Sequence, residues 1–286
     1  MAKLKVAILG SGNIGTDLLI KSLRSKYIEP VMFVGRTLTS RGLQKAKELG
    51  VPISNAGINF VIKNSDCCDL VFDATSASGH MKHAEILKKL GKIAIDMTPS
   101  KIGKMCIPSV NLEECLNLKN VNMVTCGGQA AIPLCQAIAQ TQSDVEYIEI
   151  VSSIASNSAG PATRANLDEY IHTTENGIRH FTGLNRSKVI LNLNPAIPCI
   201  KMKTTIFARI KNPDMEALSN AVKEVENRVR EYVPGYEIIV GPIIENARII
   251  ITVMVRGLGD YLPEYAGNLD IINCAAIEMA ERYAGK

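Results

Sequence analysis

The chain has 286 residues, a length that allows two domains with separate hydrophobic cores. The net charge is only +4 and no block of like charge occurs, so neither nucleic acid nor an anionic membrane surface is expected as a partner. The longest apolar stretch, Ile249 to Val255, is far too short to span a bilayer, and no signal-peptide pattern opens the chain, so we expect a cytoplasmic protein.

A nucleotide-binding turn is predicted near the start of the chain. Leu4 to Leu9 is an apolar run broken only by Lys5, which is typical of a strand buried on both faces. The sequence Gly-Ser-Gly-Asn-Ile-Gly follows at residues 10–15, and a helix is predicted from Thr16 to Ser25. Glycines at such a turn let a pyrophosphate approach the helix N-terminus. Because strand, glycines and helix follow in the required order, dinucleotide binding is favoured over an ordinary glycine-rich turn.

The end of the second predicted strand bears on the choice of cofactor. Pro30 to Val34 is followed by Gly35 and Arg36. Most NAD-binding versions carry an acidic residue here for the ribose 2′-hydroxyl, whereas an arginine accommodates a 2′-phosphate. The acid is absent, so use of NADP stays open beside NAD. The alternative is that Arg36 lies against the adenine ring or in solvent.

Alternating strands and helices continue to residue 144 and predict a doubly wound parallel sheet over residues 1–144. The segment Val71–Ser76 ends a strand, where ligands of such sheets gather, and residues 77–79 would let a nucleotide approach, although an ordinary strand-to-helix turn fits equally well. The predicted elements are a helix at Ser40–Leu49, a strand at Leu70–Ala74, a helix at His80–Leu90, and strands at Lys92–Met97 and Val121–Val124.

One cysteine is set apart from the other seven by its position. Cys126 lies between the strand that ends at Val124 and a predicted helix at Ala131–Thr141, and it is followed by Gly127 and Gly128. A thiol near a helix N-terminus is expected to have thiolate character, because the dipole and the free N–H groups favour the anion. The two glycine N–H groups are also expected to bind the oxyanion that forms when a thiolate adds to a carbonyl. A nucleotide and an activated cysteine together predict oxidation of an aldehyde through a thioester.

No metal site is predicted. The remaining cysteines, at positions 67, 68, 106, 115, 135, 199 and 274, form no CxxC pair, and the histidines at 80, 83, 172 and 180 complete no zinc pattern. In a cytoplasmic chain we expect most of these thiols to be small buried apolar side chains.

The regular alternation of strands and helices ends after residue 144, and a second domain is predicted at 145–265. Few tight hairpin signals separate its strands, so helices are expected to cross between them in an α+β domain of mixed or antiparallel sheet. An amphipathic last helix, Leu269–Tyr283, has Asp270 in its first turn. The predicted strands are Tyr147–Ala155, Lys188–Leu193, Thr204–Ile210, Glu237–Val240 and Ile249–Arg256, and the helices are Asn166–Phe181 and Met215–Val233.

Five segments occur in order along nearly the whole chain: Gly10–Asp17, Asp73–Ser76, Val124–Ala130, Ser158–Pro161 with Thr163–Asn166, and Tyr265–Asp270. With them the chain resembles the acylating acetaldehyde dehydrogenases, bacterial enzymes that pair with a 4-hydroxy-2-oxovalerate aldolase in aromatic degradation. The resemblance implies a Rossmann-type domain completed by residues 266–286, then an α+β substrate and dimerisation domain, with the last helix returning to the first domain. It also implies a nicotinamide cofactor, coenzyme A as co-substrate, a short aldehyde substrate, a homodimer and an aldolase partner.

The resemblance also implies which residues form the site. Cys126 would be the nucleophile that carries the acyl group. Asn268 would contact the cofactor, the alternative being a plain helix N-cap. The 157–165 segment would also contact it, the alternative being a loop into a helix capped by Thr163. Because the motifs occur together in one chain, the cofactor role is favoured over both alternatives. The cofactor contacts that the resemblance implies are Ser11, Gly12, Asn13, Ile14, Asn157, Ser158, Ala159, Gly160, Pro161, Ala162, Thr163, Arg164, Ala165 and Asn268. The glycine motif and the end of the second strand add Gly15 and Arg36 as candidates.

The chain departs from the typical family pattern in three places. Typical members carry Arg-Asp-Thr where this chain has Lys203-Thr204-Thr205, so Thr204 stands where a carboxylate would assist the cysteine. Typical members also have an acid near Thr37, and this chain is shorter between Tyr236 and Tyr261.

Two alternative functions therefore stay open. One is a phosphorylating semialdehyde dehydrogenase, whose members usually place a histidine base in the substrate domain. His172 and His180 lie on one predicted helix and are expected to be surface or packed residues rather than that base. The other is a non-catalytic protein that binds a nucleotide or contacts another subunit.

Overall fold

A parallel sheet of seven strands organises the first half of the chain. The computed structural model describes residues 2–285, apart from the side chain of Ala162. The strands are β1 (Leu4–Leu9), β2 (Ile28–Val34), β3 (Ile53–Ser54), β4 (Leu70–Asp73), β5 (Ile93–Asp96), β6 (Lys104–Met105) and β7 (Asn120–Asn122). They lie in the order β3-β2-β1-β4-β5-β7-β6, and every neighbouring pair is parallel. The direction of winding reverses between β1 and β4, which is where sheets of this type bind ligands.

The helices of this half connect successive strands, and all but the last of them cover the sheet. They are α1 (Asn13–Arg24), α2 (Arg41–Glu48), α3 (Ile58–Lys63), α4 (Ala77–Lys89), α5 (Pro108–Cys115) and α6 (Cys126–Thr141). The predicted parallel, doubly wound sheet is confirmed. α1 and α4 begin three residues earlier than predicted, and α6 begins at Cys126 rather than at residue 131.

A mixed sheet of five strands organises the second half. Its strands are β8 (Val145–Ala155), β9 (Ser187–Asn194), β10 (Met202–Ile210), β11 (Tyr236–Glu245) and β12 (Arg248–Val255), in the order β11-β12-β10-β8-β9. The helices are α7 (Pro161–Ala165), α8 (Leu167–Thr182), α9 (Met215–Arg230) and α10 (Gly267–Tyr283). β8 and β9 are parallel and joined through α8, whereas the other neighbouring pairs are antiparallel.

The expectation that helices cross between these strands is wrong for two of the connections. β9 leads into β10 through residues 195–201 without a helix. β11 and β12 form a tight hairpin in which Glu245 pairs with Arg248 across a two-residue turn. Asn246 and Ala247 both have positive φ, of 50° and 57°. Two successive residues of this kind match the twist of a hairpin turn. The turn carries an alanine where glycine is the usual second residue, so the sequence lacked the ordinary hairpin signal.

The long helix α6 packs against the second sheet although it precedes residue 145. Its apolar side chains share one buried cluster with residues of β8, β10, β12 and α9. The boundary at residue 145 stays a prediction. Because α6 leaves the first sheet and enters this cluster, its N-terminus lies where the two halves of the chain meet.

The last helix, α10, returns to the first sheet, as predicted. Ile272, Ala276 and Met279 lie in the same buried cluster as β1, β4 and α1. The Lys21 ammonium of α1 contacts the carboxylates of Asp17, Asp260 and Asp270 at 2.7–2.9 Å, and all four side chains are at most 8% exposed. Burial alone would lower the pKa of Lys21, but Asp17 and Asp270 outweigh it and raise that pKa above its ordinary value. A buried ion cluster thus fixes α10 against α1.

Within residues 2–285, no helix combines the length and the apolar character that crossing a membrane requires.

Candidate active site

A cleft opens at the carboxyl end of the first sheet, where the chain reverses direction between β1 and β4. Its volume is about 890 Å³, counting the part open to solvent. The glycine turn, the end of β4, the start of α6, the loop before α8 and the start of α10 all contribute to the wall. Lining residues are Gly12, Asn13, Ile14, Ala74, Thr75, Ser76, Met97, Thr98, Pro99, Val124, Thr125, Cys126, Ser158, Gly160, Pro161, Thr163, Asn166, Tyr170, Asn268, Leu269 and Ile272.

The glycine turn has space for a phosphate at one position and none at the others. A β-carbon built on Gly12 would have no heavy atom within 4 Å, and Gly12 faces the cleft. A β-carbon on Gly15 would lie 1.8 Å from the carbonyl oxygen of Gly10. Gly15 therefore permits strand and helix to approach each other, and Gly12 leaves open the place that a pyrophosphate needs at the N-terminus of α1.

The turn into α6 holds Cys126 at the floor of the cleft. Val124 has φ of 58°, a left-handed conformation that is rare for a β-branched residue. Its N–H donates to Asn122 Oδ1 at 2.9 Å. Thr125 then caps the helix, because its hydroxyl accepts from the N–H of Gly128 at 2.9 Å. This sharp, strained turn from strand to helix makes Cys126 the first residue of α6, with its side chain lining the cleft.

The structure contradicts two expectations about Cys126: that its pKa is lowered, and that the N–H groups of Gly127 and Gly128 are free to bind an oxyanion. Burial raises the pKa of Cys126 to about 11, although the Tyr170 hydroxyl and two backbone N–H groups act in the opposite direction. The Gly127 N–H donates to the Tyr170 hydroxyl at 3.0 Å, and the Gly128 N–H is taken by Thr125. Both predicted oxyanion donors thus already have hydrogen-bond partners, and the raised pKa makes the thiol the favoured form of Cys126 at neutral pH.

Hydroxyl groups surround the thiol on its inner side. Tyr170 of α8 places its hydroxyl oxygen 3.8 Å from Cys126 Sγ. Ser152 adjoins Tyr170, and its hydroxyl lies 3.0 Å from that of Thr204. Thr204 is fully buried, and it is not among the described residues that line the cleft. Sequence reasoning missed Tyr170 and Ser152 because both follow the apolar spacing of their elements.

Asn268 is the polar side chain of α10 that faces the cleft. It is 6% exposed, and its Oδ1 has no hydrogen-bond partner within residues 2–285. The alternative that Asn268 caps α10 is wrong, since Ala266 occupies the cap position. Thr163 likewise caps no helix, because α7 begins at Pro161 after Gly160. An unpaired buried amide oxygen in a cleft is a ready acceptor for a ligand N–H.

Other predicted contacts lie behind the wall or away from it. The Ser11 hydroxyl lies 3.1 Å from that of Ser40, and the Asn157 amide donates to Cys199 at 3.4 Å. Arg164 donates to the backbone of Ser156 and Ala159, which stabilises the loop itself. Arg36 is exposed, and Gly15, Ala159 and Ala165 are not among the described lining residues. The side chain of Ala162 lies outside the described residues.

A buried ionic network that the sequence did not reveal lies below the cleft. Asp73, at the end of β4, accepts from Nδ1 of His80 at 2.9 Å and of His83 at 2.8 Å. Nε2 of His80 lies 3.7 Å from Asp96. Burial alone would raise the pKa of Asp73, but the two histidines lower it below its ordinary value. Burial would lower the pKa of His80, but the hydrogen bond to Asp73 and the charge of Asp96 raise it.

Comparison with known proteins gives consistent matches. A family described as "Prokaryotic acetaldehyde dehydrogenase, dimerisation" matches residues 126–263. The acetaldehyde dehydrogenase of Spirochaeta aurantia is 60% identical over 281 residues, which cover 98% of this chain and 95% of that protein. The acetaldehyde dehydrogenase of Pectobacterium atrosepticum is 54% identical with the same coverage.

A solved structure supports the fold independently. Aspartate semialdehyde dehydrogenase II from Vibrio cholerae superimposes with a TM-score of 0.68 over 98% of each chain, at 14% identity. At that identity the likeness shows a shared two-domain fold and nothing further. On its sequence relatives, which it matches over nearly its full length, the chain belongs to the acetaldehyde dehydrogenase family.

Proposed function

We propose that this chain oxidises acetaldehyde, or another short aldehyde, to an acyl-CoA with NAD or NADP through a thioester on Cys126. One observation carries the proposal: the thiol lies in the same cleft as the open glycine turn and the Asn268 oxygen, which has no hydrogen-bond partner among the described residues. Two-electron oxidation of an aldehyde on a thiol needs a nucleophile and a hydride acceptor side by side.

The described residues fit a nicotinamide dinucleotide. The open space at Gly12 and the N-terminus of α1 suit the pyrophosphate, and the free Oδ1 of Asn268 suits the N–H of a carboxamide. Gly160 and Pro161 line the same cleft, and a β-carbon on Gly160 would lie 3.6 Å from Nδ2 of Asn13 in the glycine turn. The bound dinucleotide would supply the hydride acceptor.

Cys126 would carry the acyl group between two half-reactions. Its sulfur, once the proton has left, forms a bond to the aldehyde carbon, and the aldehyde oxygen becomes an oxyanion. Loss of hydride from that carbon restores the C=O bond and leaves the thioester. Coenzyme A then attacks as a thiolate, the Cys126 sulfur leaves, and it recovers a proton. Val124, Thr125 and the first turn of α6 hold the sulfur in place throughout.

A Cys126→Ser variant tests the covalent step. It should lose CoA-dependent formation of NADH from acetaldehyde and keep its affinity for NADH, because the thiol contacts only the substrate. Cys135→Ser is the matched control, since Cys135 is a fully buried thiol on the same helix. If Cys126→Ser keeps most of its turnover while Cys135→Ser resembles the wild type, the covalent mechanism is wrong.

The same assay separates the alternatives. Phosphate-dependent and CoA-independent NADH formation would favour a phosphorylating semialdehyde dehydrogenase. That mechanism needs a base, but the His172 side chain is 64% exposed beside Glu175, and His180 packs against Phe181. Nucleotide binding without either activity would favour a non-catalytic protein.

We further propose that the chain forms a homodimer through the second sheet. The edge strand β11 exposes Ile239, Val240, Ile243 and Ile244, the last to 54%. Adjacent exposed apolar side chains on a sheet edge mark an interaction surface. Ile244→Asp should convert a dimer to monomers in light scattering, whereas Leu38→Asp, at an exposed site on the first domain, should not. The aldolase partner and a role in aromatic degradation stay predictions.

A further inference from the structure

Two hydroxyl side chains interrupt an apolar sheet face directly behind Cys126. Ser152 on β8 and Thr204 on β10 are cross-strand partners, both are fully buried, and their oxygens lie 3.0 Å apart. Their neighbours along the same face are Ile150, Ile154 and Ile206, all fully buried. A buried hydroxyl is costly without a hydrogen bond. Two buried hydroxyl groups side by side on an otherwise apolar sheet face therefore indicate a function for hydroxyl groups at this place.

Gly127 leaves room for a third hydroxyl to meet this pair. A β-carbon on Gly127 would lie 2.1 Å from the Tyr170 hydroxyl oxygen and 2.9 Å from Ser152 Oγ. The two oxygens therefore flank the same point beside the first turn of α6. Tyr170 accepts from the Gly127 N–H at 3.0 Å, and its oxygen lies 3.8 Å from Cys126 Sγ. The hydroxyls of Thr204, Ser152 and Tyr170 thus form a row that ends at the sulfur.

We propose that Tyr170 is the hydrogen-bond donor that stabilises the Cys126 thiolate, and that Ser152 and Thr204 are positioning residues that hold its hydroxyl. This inference rests on the proposed function, in which Cys126 is the nucleophile. The thiol proton leaves to solvent in the cleft, and the phenol O–H then donates to the sulfur anion while it still accepts from Gly127. A donor that is itself a hydrogen-bond acceptor is polarised by the first bond, so the N-terminus of α6 acts on the sulfur through Tyr170.

Few groups around the Cys126 sulfur can stabilise its thiolate, so a hydrogen-bond donor there has a large effect on the pKa of the thiol. Burial raises the pKa of Cys126, and the groups that oppose burial are the Tyr170 hydroxyl and two backbone N–H groups. Among residues 2–285 no charged side chain shifts the pKa of this thiol. Burial also raises the pKa of the Tyr170 phenol well above its ordinary value, so Tyr170 keeps its proton and acts as a donor rather than a base.

The rate at which iodoacetamide alkylates Cys126, followed between pH 6 and 10 by peptide mapping, tests the proposal. Tyr170→Phe should move this pH profile upward and lower the rate at pH 8 by about 10- to 100-fold, because a hydrogen bond to a charged group is lost. Tyr236→Phe is the matched control, since Tyr236 is fully buried and donates to the carbonyl of Ala130 on the same helix. Its profile should equal that of the wild type.

The positioning residues have their own test. Thr204→Val removes the hydroxyl and keeps the shape, so it should shift the profile in the same direction as Tyr170→Phe and by less. Thr204→Ser keeps the hydroxyl, so its pH profile of alkylation should equal that of the wild type. A role in packing alone would give the opposite order, because valine fills the site and serine leaves a methyl-sized gap.

The outcomes separate this inference from the proposed function. If Cys126→Ser is inactive but Tyr170→Phe is alkylated with the wild-type profile, the role of Tyr170 is refuted and the covalent mechanism stands. If Cys126→Ser keeps its turnover, the covalent mechanism itself fails, whatever the alkylation profile of Tyr170→Phe. Equal shifts in Tyr170→Phe and Tyr236→Phe would assign the effect to loosening of α6 and would also overturn the proposal.

Discussion

Replacement of Gly12 by alanine separates cofactor binding from folding. Gly12 occupies the N-cap position of α1 with φ of −80° and ψ of −169°, which alanine adopts without strain. A methyl group there meets no atom within 4 Å. Loss of a glycine cap costs up to about 1 kcal/mol, and the smaller entropy of the unfolded chain returns about 0.4–1 kcal/mol. The free energy of unfolding should therefore change by less than about 1 kcal/mol.

Cofactor affinity should change much more. The methyl group would fill the space that a pyrophosphate needs to reach the N-terminus of α1, so charge-assisted hydrogen bonds worth about 1.5–3 kcal/mol would be lost. The dissociation constant for NADH should rise by about 10- to 100-fold. Calorimetric titration with NADH, and with ADP-ribose as a ligand that lacks the nicotinamide, measures this change.

Gly15→Ala provides the contrasting variant. Its β-carbon would lie 1.8 Å from the Gly10 carbonyl oxygen, so strand and helix would have to separate. We expect a loss of about 3 kcal/mol or more in the free energy of unfolding, measured with urea. A Gly12→Ala protein that binds NADH within threefold of the wild type would refute the placement of the pyrophosphate at this turn.

Three further predictions concern charged groups. If Arg36 binds a 2′-phosphate, Arg36→Ala should weaken NADP binding about 10- to 100-fold and NAD binding hardly at all, and equal losses would exclude that role. Lys21→Met should lower the free energy of unfolding at pH 7 by about 3–5 kcal/mol, because it leaves Asp17 and Asp270 buried without their cation. The double variant Lys21→Met/Asp270→Asn should recover part of that loss, and an unchanged urea midpoint for Lys21→Met would contradict the role of the ion cluster. The raised pKa of His80 contributes stability that is fully present below the unfolded pKa of about 6.5 and is lost as pH rises through the folded pKa. Between pH 6 and 9 the wild type should therefore lose more unfolding free energy than His80→Gln. Parallel plots of unfolding free energy against pH for the two proteins would contradict this contribution of His80.

The elements that the sequence predicted well are those with a long, regular pattern. The strand–glycine–helix start, the helices at 167–182 and 215–230, and the last helix follow their periods closely. β3 and β6, of two residues each, are too short to show any period. The β11–β12 hairpin was missed because Asn246-Ala247 lacks glycine, so its left-handed residues could not be read from composition.

The parts of the site that belong to local sequence motifs could be predicted, whereas the contacts between residues far apart in the sequence could not. Cys126, Gly12 and Asn268 belong to local motifs and do face one cleft. Tyr170 lies on a helix face that reads as core, and its meeting with Cys126 depends on how α8 packs against α6. The raised pKa of the thiol was not predicted for the same reason, because burial is set by tertiary packing and here outweighs the Tyr170 hydroxyl and two backbone N–H groups.

The ion cluster between α1 and α10 has a consequence for synthesis of the chain. α10 supplies part of the first core and one carboxylate of the cluster, yet it is translated after the whole second sheet. A ribosome therefore releases the first sheet into solution with the side of α1 that α10 will cover still open to water. The first domain would acquire its full stability only after the second domain has emerged, so the two halves are expected to mature together rather than one after the other.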